Sequence, residues 1–352
     1  MAGKSELKNS HKRLQMQDIA RLAGVSTSTV SRALNGSSLV NDETKQKVKE
    51  LAKSLNYSID VGAQNLRLKN NKTVAVIIPF DSTNPQSVSD PFFLTMLGYI
   101  ADELTKMGHY MLVSRVSANN VNDILEPYES GRAIGVIVIG QSHHHSQLDA
   151  LVAEKPVVVW GAKMADQHYV SVGSNNVHGG FLATEHLINQ GCQNIAFFGD
   201  KELPEVSQRY EGYVNAHIKH GLVVNKQLCI PVPFSAETVT LDVENLLKQN
   251  LIFDGLFACS DLIAIRAISS LQKLNINIPK DVAVVGYDDI IHAAYFNPAI
   301  STIKQSIESG AKALVKDLFC LINHQEVNSE QLEVSLIIRD SSLHLKQAKH
   351  LL

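Results

Sequence analysis

Apolar positions along this 352-residue chain keep one period near the start and another after residue 72. Met16, Ile19, Ala20 and Ala23 recur at the spacing of one helix face, and Gly24 interrupts the run. A second helix is expected over Thr27 to Leu34, with Ser26 able to cap it through a side-chain oxygen and Asn35-Gly36 to end it. A third is expected over about Asp42 to Ser54, with Val48, Leu51 and Leu55 turned inward. From Thr73 onward, short continuous apolar runs alternate with amphipathic stretches: TVAVIIPF, HYMLVS, IGVIVIG, PVVVW, NIAFFG, GLFACS and VAVVGYDD. Apolar strands without alternation, separated by helices, describe parallel sheets covered on both faces. They are too many for one ordinary open sheet, so two lobes are expected. Asp90-Pro91 opens one of the intervening helices, with Asp as cap and Pro in the first helical position.

Charge sharpens this division. The net charge is only -3, yet residues 1–72 carry thirteen Lys/Arg against six Asp/Glu. A basic module on an acidic body suggests a polyanion at one end, with a solvated basic tail as the plain alternative. The four cysteines, Cys192, Cys229, Cys259 and Cys320, form no CxxC pair and are expected to be reduced and structural. No apolar run is long enough for a membrane helix, and the opening MAGKSELKNSHKRLQ lacks a signal-peptide core. The expected location is the cytoplasm, with no membrane partner.

The segment from Met16 to Asn35 gives the N-terminal block a specific meaning. Two short helices with Gly in the turn would pack Ile19, Ala20, Val25 and Val30 between them and project Thr27, Ser28, Ser31 and Arg32 outward. Hydroxyls suit phosphates or base edges, and Arg can pair with guanine O6 and N7. Alone, such a hairpin could simply present small polar residues to water. The full string AGVSTSTVSRALNG closely resembles the signature of the lactose-repressor (LacI/GalR) family. The resemblance implies that Thr27, Ser28 and Arg32 read the major groove while Ser26, Thr29 and Asn35 position the helix on the DNA backbone. It also implies a homodimer on a near-palindromic operator of double-stranded DNA. The short tail after Asp340, without an evident leucine heptad, makes a tetramer the less favoured assembly.

The body resembles the periplasmic-binding-protein fold of the same family: two Rossmann-like lobes with a ligand cleft between them. The expected organisation is a disordered tail at 1–14, an all-α helix-turn-helix headpiece at 15–57, a hinge at 58–72 and an α/β body at 73–346. Its N-lobe is expected at about 73–172 and 305–330, its C-lobe at about 173–302 and 331–346. Open α/β sheets bind ligands at strand carboxyl ends. Asp90, Phe92, Phe93, Trp160, Arg209, Asp261, Asp288 and Gln305 fall there, with Arg209 expected to begin the RYEGY helix. Charged and amide groups hold hydroxyls, and flat aromatic faces cover a sugar ring. The resemblance places Arg209 and Asp288 on sugar hydroxyls. The alternative for Arg209 is a pair with a surface carboxylate such as Glu205 or Glu211. Gly161 departs from the lactose repressor's pattern, where a carboxylate stands, and the strings DPFF and VVWG are closer to glucoside-type relatives. A sugar, such as a glucoside, is the favoured effector, with a purine or phosphorylated sugar as alternatives.

Other features carry less. His143, His144 and His145 form a run in one loop with no nearby Cys, more often a solvated rim than a metal site. Asp288-Asp289 could pass for a glycosidase acid pair, but adjacent carboxylates at a strand end point in different directions. With no Walker A string and no GxGxxG after a strand, nucleotide enzymes have no support, and neither a cofactor nor a metal is called for. The rival classes are a transport-type binding protein and a sugar enzyme.

Residues 57–72, YSIDVGAQNLRLKNNK, link headpiece to body. In the family the matching segment becomes a helix on the operator, and a leucine from each subunit wedges into the minor groove. Leu66 falls on that position, although Ile59 stands where the family usually has Pro and Gly62 weakens a helix there. An apolar wedge unstacks a base step and bends the duplex. Leu66→Ala is therefore expected to weaken operator binding and reduce DNA bending while leaving ligand binding intact. Gel phasing with bent operator fragments checks this, and unchanged bending excludes the wedge.

Overall fold

The computed structural model describes residues 15–34, 37–55, 71–80, 86–117, 120–141, 145–152, 155–165 and 167–343. The tail at 1–14, Asn35, the hinge residue Leu66, His143, His144 and the His145 side chain lie outside the described residues. The chain divides into two compact units, Met1–Asn70 and Asn71–Leu352.

The first unit is three helices: α1 (Met16–Ala23), α2 (Thr27–Leu34) and α3 (Asp42–Ser54). Gly24 ends α1 at φ 72°, a left-handed conformation that glycine adopts without steric cost. Ser26 Oγ accepts the Thr29 N–H at 3.1 Å, capping α2, and Asn41 Oδ1 accepts the Thr44 N–H at 2.8 Å, capping α3. Ile19, Val30, Ala33 and Val48 are buried together, with Val25, Leu51 and Leu55 packed at the margin. The three helices thus bury one small core and leave the remaining face of α2 to solvent.

The second unit holds two six-stranded sheets. The first runs in the order β11-β5-β4-β3-β1-β2 and the second β12-β10-β9-β8-β6-β7. The strands of the first sheet are β1 (Thr73–Phe80), β2 (Tyr110–Ser117), β3 (Val136–Ile139), β4 (Val157–Trp160), β5 (Val170–Ser174) and β11 (Glu330–Leu332). All pair in parallel. Those of the second are β6 (Ile195–Phe198), β7 (Cys229–Ile230), β8 (Gly255–Ala258), β9 (Ala283–Asp288), β10 (Ser301–Lys304) and β12 (Ser335–Ile337). Only β12 runs antiparallel, against β10. The helices in chain order are α4 (Pro91–Lys106), α5 (Glu126–Glu129), α6 (His145–Val152), α7 (Asn176–Asn189), α8 (Pro204–Lys219), α9 (Val239–Lys248), α10 (Asp261–Lys273), α11 (Ile291–Tyr295) and α12 (Ile307–Ile322). Every residue of β3, β4, β6 and β8 is buried, because helices cover both faces of each sheet.

The chain passes between the sheets after β5, after β10 and after β11. The first sheet reaches Ser174 and Leu332. The three passages are tied to one another. Ser174 Oγ donates to Gln305 Oε1 at 2.6 Å, the Asn175 N–H to the Leu332 carbonyl at 2.9 Å, and Ser306 Oγ to the Glu333 carbonyl at 3.2 Å.

Helices α7 and α8 cross with almost no space between their backbones. A Cβ on Gly180 would stand 2.0 Å from the Arg209 carbonyl oxygen, and one on Gly212 would stand 2.0 Å from the Val177 carbonyl oxygen. No side chain fits there. Gly212→Ala is expected to destabilise the second unit by at least about 1–3 kcal/mol, the usual range for overpacking a dense interior. Gly98→Ala, in α4 with nothing within 4 Å of the added carbon, is the matched substitution and should be neutral or slightly stabilising. Denaturant midpoints measure both. Equal midpoints for the two variants would mean that α7 and α8 separate without cost.

Candidate ligand cleft and nucleic-acid-facing helix

The carboxyl ends of both sheets open on one cavity of about 910 Å3, including its open mouth. From the first sheet come Pro79 and Phe80 at the end of β1, Ile139 and Gln141 at the end of β3, and Trp160 at the end of β4. From the second come Ser260 after β8, Asp288 ending β9, Gln305 after β10 and Phe234 after β7. Asp90, Phe92 and Phe93 enter from the start of α4, and Leu203, Glu205 and Arg209 from α8 and the residue before it. Of the eight cleft residues expected from sequence, all but Asp261 line this cavity.

Asp90 accepts the Phe92 N–H at 2.9 Å as cap of α4 and also receives Gln86 Nε2 at 2.8 Å. Burial nevertheless holds its carboxyl above the ordinary range. Phe92 stands 5.7 Å from Phe93 and 6.2 Å from Trp160, centroid to centroid, so one aromatic wall is continuous. Trp160 is backed by Gly310 of α12, where a Cβ would come within 2.2 Å of the indole.

Arg209 is buried, and its donors do not go to a surface carboxylate. Nε donates to Asn176 Oδ1 at 2.9 Å, Nη1 donates to the Cys259 carbonyl, and the guanidinium lies 3.7 Å from the Tyr287 ring centre. It sits in the second turn of α8, which begins at Pro204, five residues earlier than the RYEGY reading placed the start. Leu203 supplies no side-chain cap, so the local signal that usually marks a helix start is missing.

Asp288 closes the polar wall. Its φ of 114° is one that side-chain-bearing residues rarely adopt, and Asp289 follows at 57°. The two carboxylates diverge: Asp288 Oδ1 accepts from Gln305 Nε2 at 2.6 Å, whereas Asp289 Oδ1 pairs with Arg339 at 2.6 Å. Asp261 is turned away from the cavity. Its oxygens accept Thr302 Oγ1 at 2.6 Å and the Ile290 N–H at 2.9 Å, so it braces the ends of β9 and β10 from behind. Gly286 makes room for it, since a Cβ there would meet Asp261 Oδ1 at 2.2 Å.

Gln141, Glu205 and Phe234 were not anticipated. Gln141 occupies the space beside Gly161, where a Cβ would meet its side chain at 2.5 Å. Its amide accepts the Ala162 N–H and donates to Tyr169 Oη. The side chain absent at 161 is thus replaced from the neighbouring strand.

In the first unit, Ser26, Thr27, Ser28 and Arg32 are exposed, while Thr29 and Ser31 are half-buried. Ser26 Oγ lies 2.8 Å from both Ser28 Oγ and Thr29 Oγ1, so three hydroxyls form one cluster at the start of α2. A helix N-terminus carrying hydroxyls and one exposed Arg suits a polyanion.

A model of bacterial regulatory proteins, lacI family, matches residues 15–60, and one of a periplasmic binding protein-like domain matches residues 184–342. The ribose operon repressor of Haemophilus influenzae is 30% identical over 337 residues, covering 94% of this chain and 99% of that protein. The probable HTH-type transcriptional repressor ExuR of Bacillus subtilis is 30% identical over 93% of this chain and 97% of its own length. Among solved structures, the lac repressor dimer bound to operator and the anti-inducer ONPF has a TM-score of 0.79 at 23% identity, covering 95% of this chain and all of that one. A CelR–cellobiose complex has a TM-score of 0.69 at 25% identity over 94% of this chain.

The charge state of the cleft is open to measurement through Asp288. Burial, opposed by Arg209 and reinforced by Asp90, pushes its carboxyl up to about 7. In the unfolded chain the same group ionises near 3.8. Between those values the folded state keeps a proton that the unfolded state has released, so stability falls as pH rises through the window. Asp288→Asn removes this dependence. Its stability relative to wild type should rise from about pH 4 to about pH 7 and level above, by at most a few kcal/mol. Denaturant unfolding across that range checks it, and a pH-independent difference would place the carboxyl in the ordinary range.

Proposed function

The chain belongs to the bacterial regulatory proteins of the lacI family, and we propose that it is a sequence-specific transcriptional repressor whose operator affinity is set by a sugar or glucoside in the cleft. The observation that carries this reading is the cavity itself. Both sheets direct their carboxyl ends into one space walled by Phe92, Phe93 and Trp160 on one side and by Arg209, Asp288 and Gln305 on the other. An aromatic wall facing charged and amide groups suits a ring with one apolar face and a rim of hydroxyls.

The headpiece supplies the second half. One short recognition helix reads few bases, so a homodimer on a pseudo-palindromic operator doubles the site. The protein acts by binding rather than catalysis. Each cleft aspartate is occupied in positioning: Asp90 caps α4 and Asp288 is bonded to Gln305. No described helix is long and apolar enough to cross a membrane. Closure on a ligand changes the relation of the lobes, and operator affinity shifts by the difference in ligand affinity between the two arrangements.

Two substitutions separate the halves. Arg32→Ala should cost about 1–3 kcal/mol on the cognate operator and much less on random DNA. Equal losses on both would reduce Arg32 to a phosphate contact. Arg209→Ala should abolish the response to an effector found by thermal-shift screening of sugars, with operator affinity nearly unchanged, because a buried group loses its partner. Operator titrations with and without that sugar decide, and a wild-type response in Arg209→Ala would remove the cleft assignment.

A further inference from the structure

Glu205 is the one cavity-lining carboxylate that neither the aromatic wall nor the Gln305 network explains. It lies in the first turn of α8, whose N-terminal end opens on the cavity through Leu203 and Glu205. That end has no side-chain cap from Leu203, and Pro204 occupies the first helical position. An uncapped helix N-terminus with a guanidinium one turn further on is the usual setting for a bound phosphate.

Here the chain fills that setting itself. Burial raises the Glu205 carboxyl above its ordinary range, and the charge of Arg209, one turn further along α8, opposes that shift. Arg209 already serves Asn176 and the Cys259 carbonyl with two of its nitrogens and Glu205 with its charge, so a second anion reaches it only in competition with Glu205. Asp90 and Asp288 share the same cavity, and each, once ionised, raises the cost of a further negative charge.

We propose that Glu205 is a specificity-determining residue of the cleft: its carboxylate occupies the anion position at the start of α8, so the site takes an uncharged, hydroxyl-rich ligand and rejects one bearing phosphate or carboxylate. This rests on the cleft being the effector site. Hydroxyl donors satisfy Glu205, Asp288 and Asp90 together, whereas a phosphate would have to displace Glu205 from the start of α8 without gaining a free cation. Selectivity against anions is then built into a cavity that both lobes line, Gln141 from the first and Glu205 from the second.

The test uses the full-length protein in phosphate-free buffer near neutral pH, with inorganic phosphate and glucose 6-phosphate as anionic probes and glucose and cellobiose as neutral ones. Calorimetry and thermal shift read binding. Wild type should bind neither anion at up to about 10 mM, whereas Glu205→Gln should gain affinity for them by about tenfold or more. The gain should vanish in Glu205→Gln combined with Arg209→Ala, which places the anion in the cleft. Glu205→Ser, with a short hydroxyl that can cap the helix, provides the second variant and should show the same gain. Binding of either anion by wild type, lost on Arg209→Ala, would overturn the proposal, and so would rejection of both anions by Glu205→Gln and Glu205→Ser. Should wild type bind no neutral sugar, the sugar reading fails on that arm alone, while the anion comparison still judges Glu205.

Discussion

The second unit depends on a single chain of hydrogen bonds where its two lobes join. Ser174 ends the last central strand of the first sheet, Gln305 follows β10 of the second, and the two side chains meet at 2.6 Å. Gln305 then donates to Asp288 at 2.6 Å, at the end of β9. The amide thereby fixes the crossing and aims a cleft carboxylate at once. Neutral amides suit this position because one group can accept and donate simultaneously. A charged residue at 305 would satisfy only one of its two neighbours. The other crossings, at Asn175–Leu332 and Ser306–Glu333, use a backbone carbonyl as acceptor and so fix position without depending on another side chain.

From this joint the polar wall extends by close packing. Gly180 and Gly212 allow α8 to approach α7 until carbonyl oxygens occupy the space of missing side chains. That approach brings Arg209 beside Asn176, the first residue of α7, and over Tyr287 of β9. Arg209 is therefore held by three elements before any ligand arrives. Preorganisation of this kind spares the ligand the ordering of a long side chain. The same dryness leaves the cleft carboxylates raised, because burial outweighs their partners at Asp90, Glu205 and Asp288. A ligand rich in O–H donors offers these buried carboxylates partners that the protein does not supply.

Local chemistry explains which parts were legible in the sequence. Helices with a polar cap named from sequence were started correctly, at Ser26 and Asp90, because the capping oxygen is itself a sequence signal. Several buried strands announced themselves as unbroken apolar runs, with cleft residues at their carboxyl ends, whereas β5 (VSVGS) is buried throughout without forming one. Arg209 was misplaced within its helix because Leu203 offers no such oxygen. Asp261 satisfied the strand-end rule yet faces Thr302, since Gly286 on the adjacent strand leaves space only behind the cavity. Gln141 was invisible because it replaces a side chain missing at Gly161, a substitution between neighbouring strands that no linear period encodes. Glu205 entered the sequence reading only as a surface carboxylate that could pair with Arg209, and its place on the cavity wall follows from α8 beginning at Pro204.

Communication out of the cleft is constrained by one strand. The body begins at Asn71, and Thr73 opens β1, which runs without interruption to Phe80 on the cavity wall. Five of its eight residues are fully enclosed, and it pairs with β2 and β3 on either side. A strand so held cannot stretch or bend to absorb a displacement at one end. A ligand that moves Phe80 relative to the second sheet must therefore carry the first sheet as a body, along with the point where the preceding unit is attached. The lobes can shift only about the three crossings, so the energy available for signalling is the difference between cleft contacts made in the two arrangements. Contacts spanning both lobes contribute to that difference, while contacts within one lobe contribute equally to both arrangements and cancel. By this measure the groups that matter most are not the best-buried ones but those whose partners lie across the cleft, such as Gln208, whose amide donates to the Lys163 carbonyl at 2.9 Å.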